Sequence, residues 1–303
     1  MRSFTHQQFT WLDYPKPEER ELRVLQQKYN FHDLDIEDCL SEHERPKIEE
    51  YDNYLFLVFH IPYLAKGTDR IRKVEVNIFL GQDYIITVHS DEIPVIDELG
   101  KQVTDSQSRL DELFRQGTGF FLYELVEELF DDGFPILDRI RKKLRSLETE
   151  LFDSDAEVDI LREIMSLKHN IITMRSILLP QRSLIAMLEH KHSKFISEEL
   201  GIYFGDVLDA IERQWSLLET AKELCEALED TYESILRHKS NTVIVLLTIF
   251  SVTMLPLTFI TNLYGMNVPL PLQEHPMSFF LLLGLMATIL VGTIGYFVWK
   301  KWL

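Results

Sequence analysis

Hydrophobic and polar positions divide this 303-residue chain into a strongly charged part, up to about Lys239, and an apolar part that follows it. Residues 242–260 (TVIVLLTIFSVTMLPLTFI) carry no charge over about 19 positions, which span roughly 28 Å as a helix. Residues 277–299 form a second uncharged run of about 23 positions. The pattern predicts two transmembrane helices, at residues 241–263 and 277–299, joined by a loop at residues 264–276.

Basic residues lie on one side of this predicted helix pair. Arg237, His238 and Lys239 precede the first span, Lys300 and Lys301 follow the second, and the loop has no Lys or Arg. Cytoplasmic flanks of membrane helices are rich in such residues. We therefore expect a multi-pass protein of the cell (inner) membrane with both termini and the basic tail, residues 300–303, in the cytoplasm and an extracytoplasmic loop.

The charged part begins with a mixed helix and strand pattern, which predicts a cytoplasmic α/β domain over residues 1–117. Residues 18–29 have helical spacing, and three runs rich in β-branched and aromatic residues predict strands at residues 54–61, 74–80 and 84–90. Residues 80–83 separate the last two runs and predict the tight turn of a hairpin.

After Gly119 the apolar period changes to that of a helix, which predicts a stalk of long helices over residues 118–240. Three segments keep this period: residues 120–151, 158–188 and 202 onward, with a break at residues 153–157. Neither Pro nor Gly occurs between Asp206 and Leu255. The third helix should therefore continue from the cytoplasm into the first span as one rod.

A polar stripe follows this rod at alternating spacings of four and three residues, the spacing of a left-handed bundle seam. It consists of Glu219, Glu223, Glu226, Asp230, Glu233, Arg237, Asn241, Ile244, Thr248, Ser251, Leu255, Thr258 and Asn262. Copies arranged around an axis would line a pore with rings of these groups. Two alternatives to a pore lining stay open. The acidic portion of the stripe can be a solvated helix face, and the hydroxyls inside the span can donate hydrogen bonds to their own helix.

Composition narrows the function. The formal net charge is −18, which argues against nucleic acid and favours divalent cations as partners. Cys39 and Cys225 have no metal-ligand spacing, and the N-terminus has no signal-peptide pattern. We find no phosphate loop, metalloprotease motif or nucleophile elbow, so we expect neither an enzyme nor an organic cofactor.

In the second span, Gly284, Thr288 and Gly292 recur every four residues and predict a helix-packing face.

The end of the first span carries a motif that identifies a family. Tyr264, Gly265, Met266 and Asn267 follow the run Pro-Leu-Thr-Phe-Ile at residues 256–260, and the stretch IEDCLSEHERPKIEEYDNYLF lies at residues 36–56. Together with the two late spans, this resembles the CorA family of magnesium channels. The resemblance implies a funnel-shaped homopentamer in which the first span lines the pore and the second forms an outer ring.

The resemblance also implies site residues. Tyr264, Gly265, Met266 and Asn267 would form the selectivity motif, since amide and carbonyl oxygens can accept hydrogen bonds from the water shell that Mg²⁺ retains. Asp38 and Asp206 match positions that bind regulatory Mg²⁺ between neighbouring subunits. The implied pore-lining set consists of Asn241, Ile244, Leu247, Ser251, Leu255 and Thr258.

The implied function is uptake of Mg²⁺, with Co²⁺ and Ni²⁺ as further ions, down the membrane potential and gated by cytoplasmic Mg²⁺. Residues 268–276 lack the acidic Met-Pro-Glu-Leu element of many magnesium channels and keep only Glu274 and His275. A zinc transporter of the ZntB type is therefore an alternative. A non-conducting, membrane-anchored sensor is a third possibility, although an anchor needs no polar stripe inside its span.

Overall fold

The computed structural model describes residues 1–6, 9–41, 44–65, 67–90, 93–151, 157–191, 193–268, 270, 276–300 and 302. The chain divides into two units, Met1–Glu229 and Asp230–Leu303. One helix of 64 residues, Gly201–Tyr264, contributes to both units.

The first unit is built on a mixed β-sheet. Its described strands are β1 (Arg2–His6), β2 (Phe9–Pro15), β3 (Lys47–Glu50), β4 (Leu55–Leu64), β5 (Ile71–Leu80) and β6 (Tyr84–His89). They are ordered β1-β2-β6-β5-β4-β3, and only the β2–β6 pair is parallel. The predicted hairpin of β5 and β6 is confirmed, and the Gly81 amide donates to the Tyr84 carbonyl oxygen over 2.8 Å at its turn.

Helices pack on both faces of this sheet. The described helices that begin in this unit are α1 (Glu19–Tyr29), α2 (Asp33–Leu40), α3 (Pro94–Asp105), α4 (Gln107–Arg115), α5 (Thr118–Asp131), α6 (Gly133–Glu150), α7 (Glu157–Glu189) and α8 (Gly201–Tyr264). Leu22 and Leu25 of α1 and Ile36 of α2 join a buried cluster with Phe56 and Phe79 of the sheet. Helices α5, α6 and α7 contact β4, β5 or β6 from the other side. The predicted α/β fold class is confirmed.

The helix predictions are confirmed for α1, α7 and α8, and one is wrong. Residues 120–151 form two helices rather than one, because the regular helix is interrupted at Asp132, although the backbone of that residue stays in the α region. Pro135 follows in the first turn of α6, where a missing amide proton is tolerated but a continuous helix would lose a hydrogen bond. Residues 153–156 of the predicted break lie outside the described residues.

Helices α7 and α8 are joined by a ladder of ion pairs. Lys168, Arg175 and Arg182 recur every seven residues on α7, and they pair with Glu229, Glu219 and Glu212 of α8. Elsewhere on α8, Gln214 is fully buried, and its Nε2 donates to the Phe130 carbonyl oxygen of α5 over 2.6 Å. The pairs are partly exposed, so packing rather than charge provides most of the stability here.

The second unit contains the end of α8 and helix α9 (Ser278–Trp299). Among the described residues, three helices are long and apolar enough to cross a membrane. The most apolar stretch of α7 is 44% buried, against 11% and 6% for α8 and α9. Because α7 packs on the sheet, α8 and α9 are the two that can face lipid.

Candidate ion pathway and cytoplasmic cation site

The implied pore-lining set lies on one exposed face of α8. Its members are Asn241, Ile244, Leu247, Ser251, Leu255 and Thr258, all exposed in the single chain. Two apolar members are among the most exposed, since Leu247 and Leu255 expose 65% and 68% of their surface. An exposed set of polar and apolar groups can line a pore only if other copies of the chain enclose it.

The opposite face of α8 is covered. Val245, Ile249, Thr253, Leu257 and Ile260 are buried or half-buried, and α9 is the only other helix among the described residues of this unit. At about 100° per residue, the centre of this covered stripe lies roughly 190° around the helix from the centre of the pore-lining set. Helix α9 therefore leaves the pore-lining face open.

Some hydroxyls in this segment bond to their own helix. Thr242 Oγ1 donates to the His238 carbonyl oxygen over 3.0 Å, and Thr248 Oγ1 donates to the Ile244 carbonyl oxygen over 2.7 Å. The alternative of local bonding therefore holds for Thr248 of the polar stripe. A hydroxyl that donates to its helix still has lone pairs with which it can accept a hydrogen bond from water.

The implied selectivity motif begins at the last residue of α8, Tyr264, and continues beyond the helix. The Gly265 amide donates to the Thr261 carbonyl oxygen over 2.9 Å, and Met266 and Asn267 follow with exposed side chains. A Cβ at Gly265 would lie 3.1 Å from the Thr261 carbonyl oxygen, which is a tight contact. The glycine therefore serves close backbone approach. Glu274 and His275 lie outside the described residues.

The small-residue stripe of α9 has no neighbour among the residues that the structure describes. A Cβ added at Gly284 or Gly292 would meet no atom within 4 Å, and Thr288 is exposed. The face of α9 that is half-buried or buried contains other residues, among them Leu282, Met286 and Phe297. The predicted packing role of the stripe stays a prediction that requires another molecule.

Asp38 lies in the last turn of α2, where it is held by a lysine. Lys47 Nζ of β3 is 2.6 Å from Asp38 Oδ2 and 3.2 Å from Glu49 Oε1. The Asp38 side chain is only 14% exposed. A cation that binds Asp38 must therefore compete with an ammonium group that already neutralises it.

A buried carboxylate anchors the same helix. Asp35 Oδ2 accepts a hydrogen bond from Tyr54 Oη over 2.5 Å, and Asp35 Oδ1 accepts one from Tyr51 Oη over 3.0 Å. Burial raises the pKa of Asp35, and the neighbouring Glu49 adds to this, while the two tyrosines and Lys47 act in the opposite direction. These contacts fix α2 against the connection between β3 and β4 and thereby position Asp38.

Asp206 lies near the start of α8 in acidic surroundings. Its charge helps to raise the pKa of Tyr123 on α5, after burial and the nearby Glu127 and Glu124. Among the described residues, no three His, Cys, Asp or Glu side chains are arranged to hold a metal ion. Neither Asp38 nor Asp206 therefore belongs to a complete ligand set within the described part of one chain.

Sequence reasoning missed two residues of this region. Lys47 of β3 contacts Asp38 of α2, and Asp35 contacts Tyr51 and Tyr54 in the connection between β3 and β4. No local spacing in the sequence marks those contacts. A weak signal was available, since the stretch at residues 36–56 that carries the family resemblance includes Lys47.

Comparison with protein families gives one match over nearly the whole chain. The family model of the CorA-like Mg2+ transporter protein matches residues 6–301. The YfjQ protein of Bacillus subtilis, named as a candidate metal ion transporter, is 30% identical over 96% of this chain and 89% of its own length. The cobalt/magnesium transport protein CorA of Thermotoga maritima is 28% identical over 91% of this chain and 78% of its own.

Solved structures agree in fold. The CorA magnesium transporter of Methanocaldococcus jannaschii superposes with a TM-score of 0.89 at 25% identity, over 100% of this chain and 94% of that one. A zinc transport protein ZntB of Pectobacterium carotovorum is less similar, with 22% identity over 87% of this chain and 78% of its own.

Proposed function

The chain belongs to the CorA-like Mg2+ transporter family, and from that premise we propose that it is a Mg²⁺ channel formed by five copies of this chain. Members of the family are membrane transporters of divalent cations and not enzymes. Co²⁺ and Ni²⁺ are the further ions that we expect it to conduct. The proposed pore is lined by α8, and α9 surrounds it.

One observation supports this arrangement above the others. The pore-lining set lies on the side of α8 that α9 leaves uncovered. Polar groups in a membrane span face protein or water rather than lipid, so Asn241, Ser251 and Thr258 need an enclosure that a single chain lacks. Neighbouring copies of α8 supply that enclosure. The small-residue stripe of α9 supplies a face on which helices of the assembly can pack closely.

The proposed selectivity site is a ring of Asn267 side chains and motif carbonyls at the outer mouth. Mg²⁺ gives up its waters reluctantly, so neutral oxygen acceptors that bond to those waters are suited to its capture. Exposed apolar residues such as Leu247 and Leu255 would narrow the pore further in, where an apolar constriction can close by excluding water.

Electrical driving force makes uptake favourable without a pump. A membrane potential of 100 mV is worth about 2.3 kcal/mol per elementary charge and hence about 4.6 kcal/mol for a divalent ion. We place both termini in the cytoplasm, so the channel needs a closing signal there. Asp38 and Asp206, acting between neighbouring subunits, are the proposed sensors of cytoplasmic Mg²⁺.

Uptake into liposomes tests the proposal. Wild-type protein should admit Mg²⁺, and Asn267→Ala should reduce the rate by about tenfold or more while the oligomer stays assembled, because the mouth loses its amide ring. Asn53→Ala is the control, since it makes the same truncation at an exposed amide of the α/β unit. Undiminished Mg²⁺ flux in Asn267→Ala would remove this residue from the selectivity site.

The same liposomes decide between ions. Parallel measurements with Mg²⁺, Co²⁺ and Zn²⁺ rank the three at equal driving force. Faster Zn²⁺ uptake, with little Mg²⁺ entry, would favour a zinc transporter over the proposed magnesium channel.

A further inference from the structure

A polar cavity lies beneath the C-terminal end of α2, on the face of the sheet that α1 and α2 cover. It has a volume of about 290 Å³. Cys39 and Ser41 line it from the α2 side, Glu75 and Asn77 from β5, and Lys16 from the connection between β2 and α1. A single water needs only about 10–15 Å³ of such space, so the cavity has room for an ion with several waters.

Two buried oxygens on the cavity wall have no hydrogen-bond donor. Glu75 is 6% exposed and Asn77 is 3% exposed. Asn77 Nδ2 donates to Glu75 Oε1 over 3.1 Å, whereas Glu75 Oε2 and Asn77 Oδ1 have no hydrogen-bond partner in the described part of the chain. Buried acceptors of this kind, and a carboxylate above all, are costly when unpartnered. The site is therefore built to receive donors or a cation.

The charges around the cavity favour a cation. Burial raises the pKa of the Cys39 thiol on the cavity wall, and the negative charges of Asp35, Glu75 and Asp38 raise it further. Lys47 acts in the opposite direction. His60 faces Glu75 across the β4–β5 pair, with its Nε2 3.5 Å from Glu75 Oε2. The positive charge of Lys16 on the lining also acts against a cation.

We propose that this cavity binds a hydrated divalent cation, which Glu75 Oε2 and Asn77 Oδ1 hold. The unpartnered oxygens of Glu75 and Asn77 are hard ligands of the kind that Mg²⁺ and Mn²⁺ prefer. No group of three acidic, His or Cys side chains encloses an ion among the described residues. The ion therefore keeps most of its waters, as Mg²⁺ commonly does in proteins.

The cavity connects to regulation through α2. Cys39 on its wall is the residue after Asp38, so an ion in the cavity stabilises the helix turn that carries the proposed subunit sensor. This regulatory role rests on the proposed function, whereas ion binding in the cavity does not. A binding measurement can therefore be interpreted without transport.

Mn²⁺ binding to the full-length protein in detergent tests the proposal, with free Mn²⁺ counted by electron paramagnetic resonance. Measurements in an Asp206→Ala background keep the proposed subunit site from contributing. Glu75→Gln should weaken one class of bound Mn²⁺ by about tenfold or more, as expected for loss of a charged contact. Asn77→Asp should tighten that class, because it adds a second carboxylate. Glu98→Gln, an exposed residue of α3, should bind as the parent does.

If Glu75→Gln and its parent bind the same number of Mn²⁺ ions with the same affinity, the proposal is overturned. A proton shared with His60 would then be what partners the Glu75 carboxylate. If Glu75→Gln fails to fold, Asn77→Asp decides, and unchanged or weaker binding in it overturns the proposal. Absence of Mg²⁺ uptake by a protein that binds Mn²⁺ as expected would contradict the channel and leave the cavity site standing.

Discussion

Asp35 and Asp38 lie three residues apart on α2 and have different surroundings. Asp35 is fully buried and accepts hydrogen bonds from two tyrosines, whereas Asp38 stays near the surface beside Lys47. The first carboxylate fixes the helix, and the second is available to a cation once Lys47 moves. The two side chains are chemically identical, and their different burial makes Asp35 structural and leaves Asp38 as the candidate sensor.

The raised pKa of Asp35 predicts a pH dependence of stability. A carboxyl group whose pKa is higher in the folded than in the unfolded chain binds protons preferentially when folded, so its contribution to stability grows as the pH falls towards about 4. The melting temperature of the wild type, relative to Asp35→Asn, should therefore rise between pH 7 and pH 4.5. Thermal unfolding of both proteins across this range measures it. A difference that is constant or falls with decreasing pH would contradict the assignment.

Site prediction from sequence depended on the type of signal. Tyr264 to Asn267 could be proposed as the selectivity motif because a short motif stands at the end of a predicted membrane span. Asp38 and Asp206 came from matched positions in a resemblance. Lys47 could not be assigned as the partner of Asp38, because nine residues and a change from helix to strand separate them. Contacts of that kind depend on tertiary packing, which no local spacing records.

At the scale of elements, α8 is the longest piece that sequence alone could predict. It lacks Pro and Gly from Asp206 to Leu255, and the structure keeps it continuous through Pro256 to Tyr264. The early strands were harder. β1 and β3 have five and four residues, and three of the four residues of β3 (KIEE) are charged. Such strands form because β2 and β4 offer edges to pair with, and their own sequences have little strand preference.

A pair of glycines tests how α5 is held against the connection between α7 and α8. A Cβ at Gly119 of α5 would lie 2.6 Å from the Phe195 carbonyl oxygen, which is backbone and cannot rotate away. Gly119→Ala should therefore destabilise the protein by about 1–3 kcal/mol, the usual cost of overpacking. Thermal unfolding in detergent should show a clear fall in melting temperature.

Gly205→Ala is the matched control for that variant. Its Cβ would lie 3.6 Å from Glu189 Oε1, an ordinary contact, inside helix α8. Replacing a helical glycine by alanine stabilises by up to about 1 kcal/mol, so its melting temperature should hold or rise. If both variants melt as the wild type does, the close contact at Gly119 does not restrain α5.

At the scale of the whole molecule, the net charge of −18 has to be accommodated in an assembly. Copies of an acidic chain repel one another, and the repulsion is strongest where carboxylates meet at an interface. A bound divalent cation removes part of that repulsion. The proposed closing signal therefore needs only that the ion binds the closed arrangement more tightly than the open one.

The Lys47–Asp38 pair gives this mechanism a testable prediction. Lys47 competes with any cation for Asp38, so Lys47→Met should bring Mg²⁺-dependent closure to a lower Mg²⁺ concentration. Asp206→Ala should have the opposite effect, because it removes a ligand. Truncation of Asp206 also removes a carboxylate that repels its neighbours. That change would stabilise the closed arrangement, and so protect it from proteolysis, before any Mg²⁺ is present. We expect the loss of a ligand to dominate the Mg²⁺ midpoint, since only differential binding couples the ion to closure.

Limited proteolysis over a Mg²⁺ titration measures both shifts. Protection from proteolysis should appear at about tenfold lower Mg²⁺ concentration in Lys47→Met, because removing a competing charge near a site changes the binding free energy by about 1.4 kcal/mol, the equivalent of one pKa unit. In Asp206→Ala it should appear at a clearly higher Mg²⁺ concentration. Lys101→Met, an exposed lysine of α3 whose Glu98 partner is 3.6 Å away, serves as the control and should follow the wild type. A common midpoint for all four proteins would place regulation by Mg²⁺ somewhere other than Asp38 and Asp206.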